Sequence, residues 1–465
     1  MICSKITQAY TQMIIQFKPK LSFWQIINMN FGFFGIQYSF GLQQTAMNPI
    51  YTFLNANPED LPILNLAGPM TGLLIQPVIG AISDKTWSPR WGRRKPYFLV
   101  GAIFCSLCLF SMPFSSTLWM AASLLWILDA ANNTAMEPYR AFIADKLPEE
   151  QQPTGFLAQS FFTGLGITLA NLSLYFFQII ITGKSPAGIP YWAFGSFFVG
   201  CIASIGSVLW SVKTTPEIPP SEEELEEMAK RKGKGIFEPF IEIFSAIREM
   251  PTLLKKLALV YLFQWYAMFC YWQFISHGVA KSVWGIEANL NNLNEQEKHM
   301  YEEAVGWTGL LNGWYNIVTF LSAFGLVWLA QKYSAKWVHF ICLLMAGIAL
   351  LILPGITNKY LLFIPMVGFG IAWASMMGVP YILVAASIPK TRYGVYMGIV
   401  NMMIVVPMLI QNLSFGYIYK TFLDSNPLNA IRTAGVLLCF AATAMLFIKS
   451  VKASGERAVF SGGGH

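Results

Sequence analysis

Residues 66 to 95 read LAGPMTGLLIQPVIGAISDKTWSPRWGRRK. No side chain from Leu66 to Ser83 carries a charge; Asp84 closes the run, and Lys85, Arg90, Arg93, Arg94 and Lys95 follow in a short loop. At about 1.5 Å of rise per residue, an apolar run of this length makes a helix of about 27 Å, close to the thickness of a bilayer's hydrocarbon core. A crowd of Lys and Arg at one end of such a helix is what the cytoplasmic loops of membrane proteins carry. Asp84 is therefore expected to cap the inner end of a membrane-spanning helix.

The unit recurs along the chain. Of 465 residues, 55% are hydrophobic and 12% charged, and the mean hydropathy is +0.49, outside the range of ordinary water-soluble domains. Apolar windows fall at 22 to 47, 61 to 83, 96 to 115, 117 to 143, 156 to 181, 190 to 212, 256 to 279, 304 to 330, 336 to 354, 360 to 385, 393 to 419 and 431 to 450. They predict an all-α membrane protein of twelve transmembrane helices. With a cytoplasmic N-terminus, only Lys184, Lys281, Lys298, Lys359, Lys420 and Arg432 of the 31 Lys and Arg residues fall outside. That bias predicts both termini in the cytoplasm and explains the net charge of +7 without nucleic acid. Six spans lie on each side of the longest polar interruption, so the expected domains are a six-helix bundle over 1–212, a cytoplasmic linker over 213–255 and a second bundle over 256–465. Pro138-Tyr139 and Pro380-Tyr381 are each followed by a second Pro and then a Gly opening the next helix. Such repeated halves are expected where a solute sits between two rocking bundles. Seven cysteines, mostly within apolar spans, support neither a disulfide framework nor a metal site.

Gly80-x-x-x-Asp84 followed by Arg90-x-Gly92-Arg93-Arg94 resembles, slightly lengthened, the loop signature of the major facilitator superfamily. In that family the loop latches a cytoplasmic gate through acid-to-base contacts, which implies a gate role for Asp84 with Arg90, Arg93 and Arg94. The preceding helix, with Gly68-Pro69, Gly72-Leu73-Leu74, Gln76-Pro77 and Ser83-Asp84, resembles the second helix of the sucrose/proton symporters, a branch of the glycoside-pentoside-hexuronide cation symporters. Sodium-coupled, melibiose-type relatives carry acids in this helix where this chain has Gly72 and Gln76. Hard cations favour charged oxygen ligands, so H⁺ is expected as the coupling ion ahead of sodium, with no other cofactor.

The fourth span contains LDAANNTAMEPYRAFIAD, residues 128 to 145. Asp129 stands eleven residues in from Leu118, about 16 Å, close to the bilayer midplane. A carboxylate there costs about 2.5–3.5 kcal/mol against lipid and is expected to face protein or a wet cavity. Asn133, Glu137 and Arg140 fall within about 80° of Asp129 on a helical wheel, so the four share one face. Arg140 is too far along the axis to pair with Asp129, whereas Glu137 reaches it at i+3. The motif also resembles the fourth helix of the sucrose symporters, in which the acid and the arginine are essential. That implies a proton-coupling and sugar-binding role for Asp129 and a substrate role for Arg140. The chain departs from the pattern at Glu137, where the family has Gly. The alternative for Asp129 is pairing with a neighbouring helix for assembly.

Asn30, Gln37, Gln44 and Asn48 line up within about 40° along the first span, suited either to a hydroxylated ligand or to helix-to-helix adhesion. The second half offers Gln264, Trp265, Trp272 and Gln273 on span 7, Asn312, Trp314 and Asn316 on span 8, and Asn401 and Asn412 on span 11. Aromatic faces beside amides suit a sugar ring, although Trp also anchors helices at membrane interfaces. His277, His299 and His339 show no metal-ligand spacing and are expected at interface or solvent positions. No catalytic constellation or nucleotide loop is present, so the chain is not expected to be an enzyme. The expectation is a monomeric, proton-coupled importer of a sugar or glucoside, such as sucrose, maltose or a hexose, working by alternating access in a bacterial inner membrane. An exporter or antiporter on the same fold and a non-transporting sugar sensor are the rivals.

Overall fold

Ser22 opens the first helix with a reciprocal cap. Its hydroxyl accepts from the backbone N–H of Gln25 at 3.3 Å, and the Gln25 side chain accepts from the Ser22 N–H at 2.8 Å. The computed structural model describes residues 18–220, 247–287, 293–385 and 393–448, with 222, 225, 226 and 228. Twelve long helices lie among them: α1 (Phe23–Phe53), α2 (Ala67–Asp84), α3 (Lys95–Ser111), α4 (Leu118–Lys146), α5 (Gln152–Ile180), α6 (Tyr191–Thr214), α7 (Thr252–Val279), α8 (Glu295–Leu329), α9 (Ala335–Ile352), α10 (Phe363–Ala385), α11 (Tyr393–Phe422) and α12 (Pro427–Met445). Residues 229–246 of the expected linker lie outside the described residues.

Several helices outrun their apolar windows. α8 begins at Glu295, nine residues before the window, because Glu295 and Glu297 in its first turn complement the helix dipole and need no lipid. Among the described helices, nine are long and apolar enough by composition to cross a membrane; α1, α4 and α8 fall below that mark. Their shortfall comes from polar residues that the bundle buries, including Asn30 and Gln37 on α1, Asp129 and Asn133 on α4, and Asn312 and Asn316 on α8.

The two halves share one packing plan. In the first, α1 packs on α5 and α6, α2 on α4, and α3 on α4 and α6; in the second, α7 packs on α11 and α12, α8 on α10, and α9 on α10 and α12. Adding six to each helix number turns the first set into the second. The same operation relates the two seams between halves, α5 against α8 and α11 against α2. Close approach rests on small residues, as expected where lipid supplies no hydrophobic drive between helices. A Cβ on Gly35 would lie 2.3 Å from the Ala203 carbonyl oxygen of α6, and one on Gly309 of α8 would lie 2.7 Å from that of Asn171 on α5.

Two ends can be told apart. The loop end carries residues 85–94 and the start of α1; the far end carries the end of α1. Hydrogen bonds between the halves gather from mid-depth to the far end. Asn401 donates to Gln76 (3.3 Å), Asn412 to the Asn65 carbonyl (3.1 Å), Asn48 to the Trp272 carbonyl (3.3 Å) and Lys420 to Glu59 (2.7 Å). Lys184 pairs with Glu295 at the rim.

Candidate functional site

Between the halves, α1, α2, α4, α7, α10 and α11 enclose a cleft with about 950 Å³ of empty space, open solvent included. The first half contributes Gln43, Gln44, Asn48, Asn65, Gln76, Asp129 and Asn133, with Gly68 and Gly72 leaving room beside them. From the second half come Trp265, Phe269, Trp272, Gln273, Trp373, Val405 and Met408.

Asp129 is only 4% exposed but its side chain faces this cleft. It belongs to none of the described ion pairs, whose acids near it in sequence are Glu137 and Asp145. A Cβ on Gly68 would sit 3.9 Å from its Oδ2, an ordinary van der Waals contact, so α2 passes directly beside the carboxylate. One turn on, Asn133 donates to the Asp129 backbone carbonyl (2.9 Å) and to Thr71 (3.0 Å), and accepts from Gln76 (2.6 Å). Gln76 in turn accepts from Asn401 across the cleft. A chain of amides thus runs from the acid-bearing helix to the opposite half.

Opposite the acid stands an aromatic wall. Trp373 packs edge-on against both Trp265 and Trp272, with ring centroids 5.9 and 5.5 Å away. Gln273 beside them donates to Asn412 (2.7 Å) and accepts from Gln411 (2.8 Å). Trp373, Gln43 and Asn65 were not singled out by sequence. The single Trp of the largely apolar α10 is the available signal for Trp373.

Several expected site residues sit elsewhere. Glu137 and Arg140 pair with each other at 3.7 Å but are not among the cleft-lining residues, and Arg140 also contacts the Met136 sulfur. Asn30 bonds back to the Ile26 carbonyl of its own helix (2.9 Å) and Gln37 contacts the Met136 sulfur, so only Gln44 and Asn48 of that polar line reach the cleft. A wheel gives direction, and the cleft spans only part of the helix length. Gln264 is fully buried away from the cleft. Asn312 accepts from Tyr271 (2.7 Å) and donates to Thr45 (3.0 Å), while Asn316 bonds to the Asn312 carbonyl and Trp314 packs on Phe363. None of the three lines the cleft: the two amides bond to neighbouring helices or to α8 itself, and Trp314, on the opposite face of α8, packs toward α10. His277 and His339 are buried, bonded to Thr52 and Ser375 respectively, and among the described histidines only His299 is exposed. A Cys-x-x-Cys spacing, Cys105 to Cys108, lies inside α3 with both thiols free and buried.

At the loop end, buried Arg94 donates to Asp84 (2.6 Å), Asp145 (2.7 Å) and Ser83 (2.6 Å). Burial alone would lower its pKa; Asp145 and then Asp84 outweigh that and hold it above the ordinary arginine value. Arg93 donates to the Asp84 carbonyl (3.0 Å). Glu217, just past α6, accepts the backbone N–H groups of Arg93, Arg94 and Lys95 at 2.7–2.9 Å, an anion on the start of α3. Arg90 stands apart from this cluster, over the Trp91 ring at 5.5 Å. These contacts join the first half to itself and to the start of the linker; none reaches the second half.

Twelve helices in two like halves around a central cleft, closed at one end, define a polytopic membrane transporter. The model of the Major Facilitator Superfamily matches residues 29–410, and the chain belongs to that superfamily. It is 23% identical to the rice sucrose transport protein SUT5, over 92% of this chain and 88% of that one, and 24% identical to SUC4 of Arabidopsis thaliana, over 82% and 81%. The general alpha-glucoside permease of Schizosaccharomyces pombe is 27% identical over 54% of this chain and 47% of its own. Among solved structures, a D-xylose-proton symporter superposes with a TM-score of 0.64 at 14% identity, covering 94% of this chain and all of the other, and shares the fold. The chain is a transporter and not an enzyme.

Proposed function

We propose that the protein carries a sugar or glucoside together with H⁺ by alternating access, and that Asp129 binds the proton. One observation carries the reading. A carboxylate that belongs to none of the ion pairs among the described residues faces a cleft whose same wall is amides and whose opposite wall is tryptophan. Amides match hydroxyl groups, which both donate and accept, and Trp faces match the apolar side of a sugar ring. A carboxyl group so placed gains and loses a proton as the cleft faces one side of the membrane and then the other. Gly72 and Gln76 contribute no further carboxylate to that wall, which favours H⁺ over a hard cation.

The names of the relatives, sucrose transport proteins and an alpha-glucoside permease, support a glucose-containing substrate. In this reading the positive-inside bias puts the loop end on the cytoplasmic side, the inter-half hydrogen bonds gathered toward the far end support an inward-facing arrangement, and coupling to inward proton flow makes the transport import. Both walls come from one chain, which supports function as a monomer. The finer expectation of a bacterial inner membrane rests on the short loops alone, since the sucrose and glucoside relatives are plant and fission-yeast proteins.

The test is uptake of a panel of labelled sugars into proteoliposomes under an imposed pH gradient, with Asp129→Asn alongside the parent. The parent is expected to accumulate a glucoside against its gradient. Full accumulation by Asp129→Asn would remove this residue from coupling, and lipophilic cations moved in preference to sugars would turn the reading to an antiporter.

A further inference from the structure

His277 is fully buried near the end of α7 and takes no part in the cleft. Its Nε2 lies 3.0 Å from the Thr52 hydroxyl on α1, in the other half of the molecule, and 3.3 Å from the Tyr301 hydroxyl on α8. Its Nδ1 has no partner among the described atoms. Thr52 decides the tautomer. The threonine hydroxyl gives its one hydrogen to the Asn48 carbonyl a turn earlier, at 2.9 Å, so toward His277 it acts as acceptor. Nε2 therefore carries the hydrogen and donates it, and Nδ1 is bare. A turn deeper, Asn48 donates to the Trp272 carbonyl. Two rungs thus join α1 to α7, and the Thr52 to His277 rung is the outer one.

We infer that the hydrogen bond from His277 to Thr52, steadied by Tyr301, is a latch that holds the far end shut and sets how often it opens. The inference rests on the alternating-access reading above. Neither residue reaches the cleft, so both are positioning residues. On opening, water replaces the lost bond, and one neutral hydrogen bond exchanged with water shifts an equilibrium by about two- to tenfold.

Far-end opening can be read from the distance between spin labels placed at Thr182 and Thr421, exposed residues on opposite halves, with the full chain in a bilayer. Thr52→Val and His277→Phe are each expected to raise the open fraction by about two- to tenfold and to lower the half-saturating sugar concentration for far-side entry by the same factor. Thr52→Ser keeps the hydroxyl, and His277→Gln puts an amide N–H where Nε2 stands; both are expected to behave like the parent. Combining Thr52→Val with His277→Phe is expected to add nothing beyond either alone. An unmoved distance distribution in Thr52→Val, or equal opening in the Ser and Gln variants, overturns the latch. A parent with a single distance, with and without sugar and pH gradient, overturns alternating access first and the latch with it.

Discussion

The two walls of the cleft divide the chemistry between them. The first half presents the cleft-lining acid and several amides, among them the bonded pairs Asn133 with Gln76 and Asn48 with Asn65; the second presents three tryptophans, a phenylalanine, a valine, a methionine and a single glutamine. A proton changes charge on one wall, while the other offers shape and an apolar face. Coupling and recognition are therefore expected to separate by mutation, even though both walls touch the same solute.

Asp129→Asn should have the largest effect. It keeps the shape of the side chain and removes the titration, so accumulation under a pH gradient is expected to fall to none while sugar-for-sugar exchange continues. Trp272→Leu should do the reverse. Losing a stacking face worth about 0.5–1.5 kcal/mol beyond its buried area raises the half-saturating concentration by up to about tenfold, with accumulation at saturating sugar retained. If Trp272→Leu abolished accumulation as well, the division between walls would be wrong.

A third prediction concerns the loop end, whose charges serve one half. Arg94→Lys replaces a buried fork to two carboxylates with a point charge. The variant is expected to cost about 1–3 kcal/mol of stability, the penalty for leaving a buried hydrogen-bonding group unsatisfied, seen as a lower Tm in detergent, with the sugar affinity of whatever protein folds unchanged. A shift in affinity without a shift in Tm would instead make this cluster a gate between the halves, as the loop resemblance implied.

What the sequence disclosed follows the same physics. Spans and the face of α4 were legible because lipid penalises charge: Asp129 had to find protein or water, and it faces the cleft. Depth was less legible. Asn30 and Gln37 lie on the line of Gln44 and Asn48, but nothing in a wheel says where along the axis the cleft ends. The α8 amides had a signal that pointed away from a ligand. Asn312 lies between Gly309 and Gly313, and both glycines press on α5, so the segment reads as a packing seam. Glu217 had no readable signal, because its bond to the start of α3 joins elements more than 120 residues apart.

Gln264 sharpens the comparison from its quiet side. It sits on the same helix as the tryptophan wall, next to Trp265, yet points out of the cleft into packed protein. Neither its amide nitrogen nor its carbonyl oxygen has a partner among the described atoms. A buried amide left so costs about 1–3 kcal/mol, and an apolar group of similar shape removes that cost. Gln264→Met is therefore expected to leave sugar affinity and accumulation unchanged and to raise Tm, the smallest functional effect in this series. If Gln264→Met weakened sugar binding as Trp272→Leu does, the amide would belong to the recognition surface, and the second wall would be less purely aromatic than its lining shows.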